Sequence, residues 1–177
     1  FITLTKDRTK FEALKRNLNL IIKAADDIHL FEVNGEKYDI PSGYNLGVQE
    51  TRDIDSDDAI FIFLHDDAKL LCNREIFDSM IELASMPETG VVGVAGSTSL
   101  SRSGCWWQDT TTCRGSVFHP NEQTVMHQNC WPGPGHALYG NVLVLDGLLL
   151  CCKASVFKKL GGFNVANPGF HFYDIDF

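Results

Sequence analysis

The stretch AIFIFLHDD, residues 59–67, decides how the fold is read. Ala59 to Leu64 run without polar alternation, as in a strand buried on both faces of a largely parallel sheet. The run then ends in His65, Asp66 and Asp67, three side chains able to bind a metal ion. Ligands of open α/β sheets sit beyond the carboxyl ends of the strands. Carboxylates at such a place can hold Mg²⁺ or Mn²⁺, and the ion can clamp a diphosphate. A solvated acidic turn explains the same residues, because aspartate is common where strands end. Local sequence leaves both readings open.

On either side of this strand, helix and strand patterns alternate. FITLT (1–5) is a short strand, and Phe11, Leu14, Leu18, Ile21, Ile22 and Ala25 carry helical spacing over residues 8–25. IHLFEV (28–33) reads as a second strand, followed by the turn-rich NGEKYDIPSG and a helix from about Ser42 to Thr51. After the 59–64 strand, Asn73 is a good cap for a third helix with Ile76, Phe77, Met80, Ile81 and Ala84 on one face. Pro87 helps to end it, and VVGVAG (91–96) is a fourth strand. This alternation predicts an α/β domain with a mostly parallel central sheet flanked by helices.

Residues 97–139 break the rhythm. So long an irregular stretch is usually functional or lined with short strands. Order returns in NVLVLDGLLLCC (141–152), a buried strand or strand pair, and in the short helix ASVFKKL before Gly161 and Gly162. The expected organisation is a single domain over 1–177, cut from a longer protein. Residues 1–96 form a nucleotide-binding half and 97–177 an acceptor and catalytic half.

Charge and composition narrow the function. The 177 residues are 44% hydrophobic and carry a net charge of −8. An acidic chain is a poor nucleic-acid surface, and a phosphorylated ligand would need a cation beside it. No apolar run approaches the roughly 20 residues of a bilayer span. Six cysteines without a CxxC spacing fit a reducing compartment. The expected setting is cytoplasmic, any membrane association being supplied by segments outside this stretch. A glycine-rich phosphate loop is lacking.

The stretch GFHFYDIDF (169–177) places Asp174 and Asp176 two apart, behind His171 and Tyr173. In a strand the two carboxylates would share a face, and in a helix they would diverge. A carboxylate here suits either a helix cap or a general base reaching a substrate hydroxyl.

Taken together, these motifs resemble the glycosyltransferase family 2-like enzymes. LGGFNVANPGFHFYDIDF (160–177) is similar to the family's closing GGF and ED motif, and VLDGLLLCCKASVFKKLGGF (144–163) to the stretch before it. FIFLHDD (61–67) resembles its DxD-type motif, in the subgroup reading FlHqDv, and PSGYNLGVQE (41–50) the helix before that strand. FITLTKDR (1–8) faintly echoes the family's opening strand.

The resemblance implies the GT-A fold and a metal-dependent inverting transfer of a sugar from a nucleotide-diphosphate donor to a glycan or other hydroxyl acceptor. It implies that Asp67 binds a Mn²⁺ or Mg²⁺ ion on the donor diphosphate, with Asp66 a weaker candidate. His65 stands where the first aspartate of the motif usually is. Asp174 matches the catalytic base, although Tyr173 replaces the usual glutamate beside it. Asp176 is expected to be structural. Asp146 would face donor or acceptor sugar, and the donor base would lie near Thr5, Arg8, Glu32 and Asn34. His171 would touch metal, phosphate or acceptor.

In the irregular middle, Trp106, Trp107 and Trp131 suit either a sugar-binding wall or a small second core. Cys105, Cys113, His127 and Cys130 are spaced too irregularly to suggest a structural zinc site strongly. The alternatives are an inactive nucleotide- or sugar-binding module of the same fold, or a nucleotidyltransferase.

Overall fold

A computed structural model describes residues 1–23, 26–51, 55–119, 124–129, 140–169 and 171–177. Strands β1 (Ile2–Thr5), β2 (Phe31–Asn34) and β3 (Ile60–Leu64) alternate with helices α1 (Arg8–Leu18) and α2 (Ile40–Glu50). Helix α3 (Arg74–Ser85) then leads to β4 (Val91–Gly93) and β5 (Ala95–Ser97). A hairpin of β6 (Cys113–His119) and β7 (Thr124–Asn129) follows. The chain continues through β8 (Val144–Leu145), β9 (Leu149–Lys153), α4 (Ala154–Leu160) and the one-turn α5 (Tyr173–Asp176).

The central sheet has the order β2-β1-β3-β9-β4. Strand β3 lies at its middle, parallel to β1 and antiparallel to β9. Phe61 and Phe63 enter one core cluster with Tyr44, Phe157 and Phe163, while Ile62 and Leu64 enter the other with Leu14, Phe77 and Leu149. Period-two alternation thus delivers apolar groups to both faces, which is why the strand carries no polar residue. Burying Phe63 alone contributes roughly 1.5–3 kcal/mol.

The mostly parallel sheet is mixed, because β9 runs against both neighbours. The expected fourth strand at 91–96 is two strands. Val91–Gly93 pairs with β9 in the central sheet, and beyond a bend at Val94, Ala95–Ser97 pairs with β6 and β8 in a second, antiparallel sheet. Residues 144–153 make the same crossing in reverse, through a turn at 146–148, so the chain passes between the two sheets at two places.

Helix α1 stops at Leu18, short of the expected Ala25. Buried Asn17 exchanges two hydrogen bonds with the Leu70 backbone, at 3.0 and 2.8 Å. The next amides bond three residues back, Leu20 to Asn17 and Ile21 to Leu18, so the helix tightens and ends there. Ile21 still reaches the core from the turn, and Ala25 lies outside the described residues. Helix α2 starts earlier than expected, at Ile40, because Asp39 accepts from the Ser42 amide at 3.0 Å and Pro41 suits the first turn. Strand β2 is likewise shifted to Phe31–Asn34, its pairing with β1 beginning at Phe31. Asn73 caps α3 as its sequence predicts.

Candidate functional site

The carboxyl ends of β1, β2 and β3 lie side by side. The Thr5 hydroxyl donates to Asp66 Oδ2 at 2.6 Å, tying the end of β1 to the residues after β3. Arg8 opens α1 and pairs with Glu12 at 2.7 Å and with Glu32 on β2. Thr5, Arg8, Glu32 and Asn34, together with Lys6 and Glu36, line an open cleft of about 310 Å³. The four residues expected around the donor base therefore share one cleft.

Beyond β3 the acidic residues take different surroundings. Asp66 is half-buried and Asp67 exposed. Lys10, from the first turn of α1, places its ammonium 3.1 Å from Asp67 Oδ2 and 3.9 Å from Asp66 Oδ1. Its hydrogen bond to Asp67, then that carboxylate's charge, raises the lysine pKa. Two carboxylates of this kind fit a hard divalent cation, which commonly takes one or two protein carboxylates and completes its shell with substrate phosphate and water. An ammonium already occupies the position of such a charge. Among the described residues no group of three His, Cys, Asp or Glu side chains is placed to hold a metal ion.

His65 turns toward the other half of the site. Its Nε2 lies 2.6 Å from the Tyr173 hydroxyl, which donates to the Gly147 carbonyl at 2.9 Å. The phenol has one proton, so with that bond made His65 must donate from Nε2. Burial lowers the His65 pKa, outweighing the pull of Asp67, Asp146, Asp174 and Asp66. Burial also drives the Tyr173 phenol far above its ordinary value.

The proposed base is held by the same turn. Asp174 Oδ2 accepts from the Gly147 amide at 2.9 Å, and Oδ1 accepts from the Ile175 amide at 3.0 Å. Gly147 thus bonds through its amide to Asp174 and through its carbonyl to Tyr173. A Cβ at Gly147 would overlap the Tyr173 hydroxyl, so the close approach requires glycine. Asp146 closes the turn by accepting from the Leu148 amide at 2.8 Å. In the helical α5 the two aspartates diverge, and Asp176 accepts from Asn164 at 2.7 Å.

Below this turn lies an aromatic floor. Phe163 stacks on Phe177 at 4.1 Å and meets Phe63 edge-on at 4.9 Å, and Tyr44 lies 6.1 Å from Tyr173. Asn45 of α2 bonds both the carbonyl and the amide of Phe163, at 2.8 and 2.9 Å. That pair of bonds joins the helix before the acidic strand to the GGF segment.

Trp106 and Trp107 form a 3-10 turn, Trp106–Gln108, their rings perpendicular at 5.7 Å. Trp107 is exposed and Trp106 half-buried, so neither fills a closed core. The nearby Gly104 lies under Phe172, where an added Cβ would stand 2.6 Å from the ring. His171 is exposed. Cys113 is buried with its thiol 3.4 Å from the Asp109 carbonyl. Cys130, Trp131 and the His127 side chain lie outside the described residues, and with them the test of a zinc site. Lys10, Asn45, Gly147 and Phe172 escaped the sequence reading as site residues; of these only Lys10 lay outside its motifs.

Compared with known families, residues 1–177 match the family model described as "Glycosyltransferase like family". The chain belongs to this glycosyltransferase family. No curated protein matches it. The match spans residues 1–177, including the 97–139 stretch in which no motif was legible. Among its described residues no helix is long and apolar enough to cross a membrane.

Proposed function

We propose that this glycosyltransferase domain moves a sugar from a nucleotide-diphosphate donor to a glycan or other hydroxyl acceptor, with inversion at the anomeric carbon. The observation that carries the reading is the Gly147 turn, which presents Asp174 on one side while His65 joins that turn, through Tyr173, to the acidic end of β3. The open cleft at Thr5, Arg8, Glu32 and Asn34 suits the base and ribose of the donor, and Asp66 and Asp67 suit its diphosphate end. Asp174 takes the acceptor hydroxyl's proton as that oxygen attacks the anomeric carbon and the bond to the diphosphate breaks. Two amide bonds fix the carboxylate and leave lone pairs for the hydroxyl. A placed base of this kind contributes about 10²–10⁴-fold. Mn²⁺ or Mg²⁺ held by Asp66 and Asp67 would supply Lewis-acid neutralisation of the diphosphate, with Thr5 orienting Asp66. Asp146, His171, Trp106 and Trp107 are the candidates for holding the sugars.

The inactive binding module is a second reading, favoured by His65 and Tyr173 where the family carries carboxylates. Calorimetric titration of UDP, GDP and dTDP, each with Mn²⁺ and with EDTA, separates the readings when paired with turnover. One nucleotide is expected to bind, and to lose its affinity with EDTA or in Asp67→Ala. Asp174→Asn is expected to retain donor binding and lose about 10²–10⁴-fold in turnover. Undiminished turnover in Asp174→Asn would remove the proposed base, and donor binding without any wild-type turnover would select the inactive module.

A further inference from the structure

Helix α1 carries no acidic residue in its first turn; Arg8 and Lys10 stand there instead. A cation at a helix amino terminus is opposed by the helix dipole, so its placement needs an anion opposite. For Lys10 that anion is the Asp66–Asp67 pair, which its ammonium meets at 3.9 and 3.1 Å. Arg8 is turned away from the pair, toward Glu12 and Glu32. Lys10, Asp66 and Asp67 also share the wall of a groove of about 540 Å³ beside α1, which leaves the lysine room to move.

We propose that Lys10 is a tethered cation that holds the two aspartates before the donor arrives and transfers to the donor's diphosphate when a divalent ion takes its place. The inference rests on the glycosyl-transfer reading and adds a residue to its diphosphate site. Four carboxylates already bear on this region, and a diphosphate brings further negative charge to a chain of net charge −8. The Lys10 ammonium would be driven from Asp66 and Asp67 by like-charge repulsion once those carboxylates held a divalent ion. A lysine, a compact charge on a flexible stem, would then reach for the nearest anion, the donor's diphosphate. Before donor binding the lysine competes with the metal; after it, the lysine supports the donor.

The two roles predict opposite signs for one substitution. Lys10→Met keeps the exposed stem and removes the charge. Mn²⁺ alone is expected to bind the nucleotide-free variant more tightly than wild type, by up to about fivefold, the range for release from an exposed ion pair. With saturating Mn²⁺, whichever of UDP, GDP or dTDP the wild type binds is expected to bind Lys10→Met about tenfold more weakly, the scale of one charge-assisted contact. Lys10→Arg is expected to restore most of the nucleotide affinity. Both constants come from calorimetry and need no turnover. Weakening of Mn²⁺ and nucleotide together, or no change in either, would overturn the role of Lys10 while leaving the donor reading intact. A wild type that binds none of the three nucleotides with Mn²⁺ would overturn the donor reading, and this inference with it.

Discussion

The Tyr173 hydroxyl is shared between His65 Nε2 at 2.6 Å and the Gly147 carbonyl at 2.9 Å, in a buried position. Phenylalanine would keep the ring on its aromatic floor, 6.0 Å from Phe163, and would strip both bonds at once. Leaving the buried Gly147 carbonyl short of this partner costs about 1–3 kcal/mol. Tyr173→Phe is therefore expected to lower the unfolding free energy by that amount, read as a fall in the urea midpoint. It should also lower kcat more than donor affinity, because Asp174 is the next residue on the same turn of helix. Equal losses in kcat and donor binding would mean that Tyr173 supports the fold without positioning the base. His65 and Tyr173 both stand where the family resemblance leads one to expect a carboxylate, and they are hydrogen-bonded to each other.

Helix α2 owes its position to glycine. A Cβ at Gly47 would overlap Ile2 Cγ2, and one at Gly43 would stand 2.6 Å from Leu4 Cδ1, so the helix lies directly on β1. Gly47→Ala gains up to about 1 kcal/mol of intrinsic helix propensity. Overpacking against a buried strand costs about 1–3 kcal/mol, so the net change is expected to be destabilising. Urea denaturation would show it, and a rise in midpoint would mean that α2 can move off the sheet. The displacement would also pull on Asn45, two residues earlier, and through its bonds on Phe163 and the segment before the base. A reduced kcat in Gly47→Ala, far from the chemistry, is the companion outcome.

Across the whole molecule, the acidic composition makes stability depend on pH at its acid end. The bond from Arg74 to Asp26 leads the causes that hold this carboxyl below its usual value of 3.8. Burial pushes Asp39 upward, but its bonds from the Ser42 hydroxyl and amide outweigh that and leave it lowered. A depressed folded pKa means that the unfolded chain binds protons first. Both groups therefore add stability at pH values above about 4, and that stability is lost as pH falls through their folded values. The urea midpoint is expected to be flat from neutral pH to about pH 5 and to fall below about pH 4. Asp39→Asn should start lower at neutral pH and fall less steeply. Parallel curves for the two proteins would show that Asp39 does not contribute to the acid transition.

While the grouping of Thr5, Arg8, Glu32 and Asn34 was expected from the family resemblance, the sequence by itself determined the alternation of strands and helices through α3, the central place of β3 and the Asn73 cap of α3. These follow from local patterns: unbroken apolar strands, helical spacing and turn residues, with ligands gathering beyond the carboxyl ends of parallel strands. What lay beyond it were properties of pairing and contact. Nothing in LLLCC states that the strand runs antiparallel between β3 and β4, because side-chain periodicity is the same in either direction. Nothing in VVGVAG marks the bend at Val94, which comes from each half finding a different sheet. The early end of α1 was set by Asn17 meeting Leu70, 53 residues away. The pairing of His65 with Tyr173 spans 108 residues, and that of Gly147 with Asp174 spans 27. Only the tertiary structure could decide them, because a hydrogen bond between distant residues leaves no trace in the spacing of either.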